Sequence, residues 1–170
     1  MDNSKGAPGR LSPEAARLEA FARDYSPKRK ACHEEVDAAI PPDKACVLGA
    51  AVPPTLAVWS DSHGVELAYA LGELAAKSNR SVVQLSSSAC PPGLDYNPPN
   101  RPRCAERNRT VLDFLLSEPT IDTVMLAAYR PLDWGRGAPQ IFAGLEAAIA
   151  ALRQAGKTVV LVYPNPDDRQ

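Results

Sequence analysis

The sequence predicts an α/β domain, with a parallel sheet covered by helices on both faces in three layers. Three observations carry this. Short apolar runs at about 55–60, 81–86, 122–128 and 158–163 read as strands buried on both sides. Segments with a 3.6-residue apolar period alternate with them, the pattern of a helix-covered parallel sheet. The chain has 170 residues, 45% hydrophobic and 23% charged, enough for one domain with a real core.

Residues 1–10 are polar and read as disordered. Ser12 suits an N-cap and Pro13 the first helical position, so a helix is expected from there to about Arg23. Residues 24–46 are mixed, with a short helix expected around Glu34–Ala39. Residues 1–46 therefore read as an N-terminal arm or linker, and residues 47–170 as the α/β domain.

After the 55–60 strand, a helix over 64–77 places Leu67, Ala68, Leu71, Leu74 and Ala75 on one face, and Ser78-Asn79-Arg80 ends it. The strand at 81–86 leads into a long loop, 87–105, rich in Pro and Asn. A loop of that length in a compact domain is functional or stapled. The helix at 107–117 turns Val111, Leu112 and Leu115 inward, and Pro119 follows its end. The strand at 122–128 precedes a helix over 138–155 that buries Ile141, Phe142, Leu145, Ile149 and Leu152. Gly156 stops that helix, and the strand at 158–163 follows.

Composition excludes several functions. A net charge of −1 leaves no basic footprint for nucleic acid. The four cysteines form two close pairs, Cys32 with Cys46 and Cys90 with Cys104, each in proline-rich surroundings. Neither pair has C-x-x-C spacing and there are only two histidines, so neither a metal nor another cofactor is expected. Local disulfides Cys32–Cys46 and Cys90–Cys104 are the preferred reading, in an oxidising compartment; four free thiols in a cytosolic chain are the alternative. No signal peptide is visible, and the apolar run from Ala45 to Trp59 is broken by Pro53-Pro54. An exported domain of this kind is expected to be a piece of a longer protein. Asn79-Arg80-Ser81 and Asn108-Arg109-Thr110 match the glycosylation sequon, a short motif frequent by chance.

The most informative stretch is Leu56-Ala57-Val58-Trp59-Ser60-Asp61-Ser62-His63, where a strand runs straight into a helix start. Such a junction offers unpaired backbone N–H groups and a positive dipole end, which can hold the oxyanion formed when a serine attacks an ester. Ser62 is therefore a candidate nucleophile. Helix N-capping is the alternative role for it.

Trp59-Ser60-Asp61-Ser62-His63, followed by Glu66-Leu67 and Ala70-Leu71, resembles the Gly-Asp-Ser-His block of the SGNH (GDSL-type) hydrolases. More narrowly, the chain is similar to the extracytoplasmic SGNH domain fused to the acyltransferase-3 membrane domain of bacterial polysaccharide O-acetyltransferases. Ser88-Ala89-Cys90-Pro91-Pro92 matches that family's Ser-x-Cys-Pro-Pro element, and Val124 to Arg130 stands in the place of its next core strand. The resemblance runs from about Cys46 to Tyr163. It implies a flavodoxin-like SGNH fold, truncated at its C-terminus, with Ser62 as nucleophile. It also implies an oxyanion or substrate contact near Ser88, which keeps a backbone N–H to donate, and Arg130 in place of the family's asparagine. Ser60 replaces the family's glycine and adds a side chain beside the nucleophile.

In this family the catalytic base and its acidic partner come from one Asp-x-x-His motif, and the chain contains none. His63 adjoins the nucleophile and diverges from it, and His33 lies in the arm. The motif is therefore expected beyond Gln170, which would leave residues 1–170 impaired on their own. Tyr129, Trp134 and the Arg101/Arg103 loop either line a sugar groove or pack as ordinary loop residues.

The leading expectation is transfer of an acetyl group through a serine ester to a cell-envelope glycan such as O-antigen or exopolysaccharide. The domain would be periplasmic or at the cell surface, tethered by an upstream acyltransferase-3 domain. A carbohydrate or lipid esterase and a non-catalytic glycan-binding or interaction domain are the alternatives.

Overall fold

The computed structural model describes residues 12–21, 25–36, 38–128 and 138–162. The elements are α1 (Pro13–Phe21), α2 (Arg29–Cys32), β1 (His33–Glu34), β2 (Val47–Gly49), β3 (Leu56–Ser60), α3 (Gly64–Ala76), β4 (Ser81–Ser87), α4 (Cys104–Ser117), β5 (Thr123–Ala127), α5 (Ala138–Gln154) and β6 (Thr158–Val162). All four expected apolar strands and the helices that link them are present. Among the described helices, none is long and apolar enough to cross a membrane.

The sheet order is β1-β4-β3-β5-β6, with β2 also on β4. Counting only the four long strands in chain order, this is 2-1-3-4, the beginning of the flavodoxin-like order. These strands pair in parallel. Strand β2 pairs antiparallel with β4, which the expectation of a wholly parallel sheet did not include. The alternating side chains split the core in two. Ala57, Trp59, Val83, Leu85, Val124 and Leu126 pack with residues of α4 and α5. Val58 and Val82 pack with Ala68 of α3 and Leu48 of β2.

The arm differs most from its expectation. Glu34 does not start a helix. His33 and Glu34 pair in parallel with Ser86 and Ser87, so the arm adds a strand to the sheet. Both disulfides form in the preferred pairing. Cys32–Cys46 clips the residue before β1 to the residue before β2, and Cys90–Cys104 ties the end of the β4 turn to the start of α4.

Two helix faces are also corrected. In α3 the buried residues are Gly64, Val65, Ala68 and Gly72, while Leu74 is 59% exposed. The face is rotated because Gly72 lies directly on Leu48, where an added Cβ would stand 2.6 Å from the Leu48 Cβ. In α5, Ile141 and Leu152 are buried, but Phe142 is at the surface. Asn79 ends α3 in the left-handed conformation (φ 52°) and Gly156 ends α5 likewise (φ 78°).

Candidate active site

Ser62 follows β3 by two residues, at the carboxyl end of the sheet and next to β5. That is the point where strand order reverses, and ligands of open α/β sheets bind in the crevice there. The loop is held by Asp61. Its backbone N–H donates to the Ala127 carbonyl (3.3 Å), and its carbonyl accepts from Gly64 N–H (3.3 Å). Its buried carboxylate accepts from the His63 backbone N–H (2.8 Å) and lies 3.3 Å from His63 Nδ1. This bond holds the turn just ahead of α3, whose N-cap position is His63. The half-buried Ser62 makes no hydrogen bond through its hydroxyl or its backbone N–H among the described residues.

Ser60 pairs with Ser86 across β3 and β4, so Ser62 and Ser88 lie two residues beyond matched positions on adjacent strands. Neighbouring strands are about 4.8 Å apart. The Ser88 backbone N–H, however, donates to the Glu34 carbonyl at 2.8 Å. The N–H that has no acceptor among the described residues is that of Ala89, which has the left-handed φ of 50°. Tyr129, Arg130 and Trp134 lie outside the described residues.

The side chain of Ser60 does not enter the crevice. It is fully buried and occupies the space beside Gly64, where an added Cβ would overlap both its Oγ and its Cβ. A serine in place of glycine is accommodated because the first residue of α3 has no side chain.

The family model for the SGNH domain fused to AT3 domains matches residues 31–170. The chain belongs to that SGNH family. Its match begins inside the arm, just before β1. This SGNH domain is also similar to the solved periplasmic domain of a lipopolysaccharide acetyltransferase from Salmonella ser. Paratyphi A. The TM-score is 0.62 and the identity 13%, over 94% of this chain. The match spans 60% of the length of that structure. At this identity the likeness is one of fold. No curated protein matches the chain significantly.

Several residues that shape the SGNH domain's site carry no such signal in the sequence. Asn108 reads as part of a sequon, yet it is buried. It accepts from Trp59 Nε1 (3.1 Å) and donates to the carbonyls of Pro91 (2.8 Å) and Gly93 (2.7 Å). It fixes the Cys90-Pro91-Pro92 turn to the sheet. Arg101, whose loop the sequence leaves between a sugar groove and ordinary packing, is buried against Glu34 and Ser87, and Arg103 pairs with Glu106 at the surface. Among the described residues no His, Cys, Asp and Glu cluster could hold a metal.

His33 is buried in the sheet, with Nδ1 3.0 Å from Ser86 Oγ and Nε2 without a partner among the described residues. Burial pushes its imidazole below the ordinary 6.5. Glu35 pulls it back up, Arg29 lowers it again, and Asp61 and Glu34 raise it by less, with burial the largest effect. The folded state therefore holds His33 neutral where the unfolded chain begins to protonate. Stability is fully present above about pH 6.5 and falls as pH drops below it. Denaturant titrations at about pH 7.5 and pH 5.5 are expected to show this loss, and His33→Gln is expected to reduce it. An unchanged difference in His33→Gln would assign the loss to other groups.

Proposed function

We propose that this chain is the SGNH domain of an envelope polysaccharide O-acetyltransferase and works outside the cytoplasm. Its arm, residues 1–46, joins it to a membrane acyltransferase-3 domain upstream, and Ser62 is the nucleophile. Ser62 Oγ attacks the carbonyl carbon of an acetyl donor while a base takes the serine proton; the bond from the acetyl carbon to the donor breaks, and the donor group leaves with that proton. A glycan hydroxyl then attacks the serine ester and gives its proton to the base, which returns it to Ser62 Oγ as the acetylated glycan leaves. The observation that carries this reading is Ser62 at the strand-order reversal, its hydroxyl and backbone N–H without a hydrogen bond among the described residues, within a family match over residues 31–170. The two disulfides support an oxidising compartment. The similar solved domain belongs to a lipopolysaccharide acetyltransferase, which supports a glycan as acceptor.

A serine without a base is a weak nucleophile. His63 is held by Asp61 and His33 is buried on Ser86, so these 170 residues alone are expected to turn over activated acetyl esters slowly. The test is glycan O-acetylation by the membrane-linked protein, with mass spectrometry of its Ser62 peptide. Ser62→Ala is expected to abolish both acetyl transfer and the serine adduct, with the fold kept. Normal acetylation by Ser62→Ala would return Ser62 to a structural role. Glycan binding without any adduct would favour the non-catalytic reading.

A further inference from the structure

Beside β1, between the arm and α4, lies a groove of about 590 Å³. That is within the range of about 300–1,000 Å³ typical of ligand clefts. One wall is apolar, formed by Val36, Ile40 and Pro41. The opposite wall carries an unbalanced charge. Glu34 is buried and accepts from Arg101 Nη2 (3.1 Å) and Arg107 Nε (3.1 Å). Its remaining bonds come from Ser87 Oγ (2.9 Å) and Ile40 N–H (3.2 Å). One carboxylate thus faces two guanidiniums whose side chains are only 7% and 13% exposed.

Each guanidinium also keeps a buried Nη1 that finds no acceptor among the described residues. Uncompensated buried charge is costly, and burial, with Arg101 beside it, pushes Arg107 below its ordinary range despite Glu34. These features call for a second anion. A guanidinium fork is matched to a carboxylate, and the apolar wall is matched to the C–H face of a pyranose ring.

We propose that this groove is a subsite for a carboxylate-bearing sugar of the acceptor glycan, with Arg101 and Arg107 holding the carboxylate. The sugar's placement in an acceptor rests on the proposed function; binding itself does not. Glu34 and Ser87 belong to the strand ends two strands and one strand away from β3, so the groove lies about 10 Å along the sheet from the strand that delivers Ser62.

The experiment is amide-resolved NMR titration of the full 170-residue chain with methyl glucuronide, methyl glucoside, acetate and sulfate. Methyl glucuronide is expected to shift the amides around Glu34, Arg101 and Arg107, and methyl glucoside to leave them unmoved. Acetate and sulfate are expected to bind more weakly than the glucuronide. Arg101→Met leaves a balanced Glu34–Arg107 pair, and is expected to weaken glucuronide binding by about tenfold to a hundredfold. Arg101→Lys keeps the charge without the fork and should fall between the two. Ser62→Ala should bind as the parent does, so failed catalysis with retained binding would fault the proposed function and not this site. Equal binding of glucoside and glucuronide, equal binding of acetate or sulfate (an adventitious ion only), or undiminished binding in a folded Arg101→Met would overturn it.

Discussion

Gly64→Ala should destabilise the domain by about 2–3 kcal/mol, the cost of overpacking a buried contact. The added Cβ would overlap Ser60 Oγ and Cβ, and Val58 Cγ1 closes the site at 3.4 Å. Ser60 sits on a fully buried strand end, and its short side chain has no room to turn away. For a domain of this size the melting temperature should fall roughly 5–10 °C. Ser60→Gly removes both overlapping atoms, and its buried hydroxyl has no hydrogen-bond partner among the described residues to lose. The single Ser60→Gly change should therefore cost about 1 kcal/mol for glycine in a strand. The double variant should recover most of the loss, giving a coupling above about 1 kcal/mol. Additive losses in thermal melts would show that the two positions do not share this space. Ser62 lies between them, so serine acylation should follow the same pattern as stability.

Glu34→Gln should cost about 3–5 kcal/mol, because it leaves two buried guanidiniums without a counter-charge. The amide can still accept a hydrogen bond, so the loss measures charge more than bonding. Arg101→Met is expected to cost less than half as much, since Glu34 and Arg107 then balance. Denaturant midpoints of the three chains check this ranking. A Glu34→Gln loss below about 1 kcal/mol would mean that water already compensates the arginines.

The long elements were legible because each repeats its pattern several times. Strand β4 offers seven buried positions in a row, and α4 turns Val111, Leu112 and Leu115 to one side. Strands β1 and β2 have two and three residues, too few for any period to register. The inner face of α3 is hidden in the sequence because its inner line includes Gly64 and Gly72, and glycine carries no apolar signal. The same period puts Phe142 inward, but it lies on the rim of the α5 stripe. At the site, the strand-to-helix junction at Ser62 could be read directly from residue order. The Glu34–Arg101–Arg107 cluster could not, because its members are 67 and 73 positions from Glu34 and meet only through the sheet. Nor could the Ser60–Gly64 fit, which depends on the orientation of two small residues.

The Cys32–Cys46 clip has a consequence for self-association. An unpaired strand edge is a template on which a second chain can add itself. The outer side of β4 is divided instead. Its carboxyl end is taken by His33 and Glu34 and its amino end by Val47 to Gly49. Between them the Gln84 backbone N–H donates to the Cys46 carbonyl at 2.9 Å, and the Gln84 side chain donates to the Cys32 carbonyl at 3.2 Å. Neither fragment is long enough to hold its place by pairing alone. Joined covalently, they close this flank of the sheet to intruding strands for as long as the sulfurs stay oxidised.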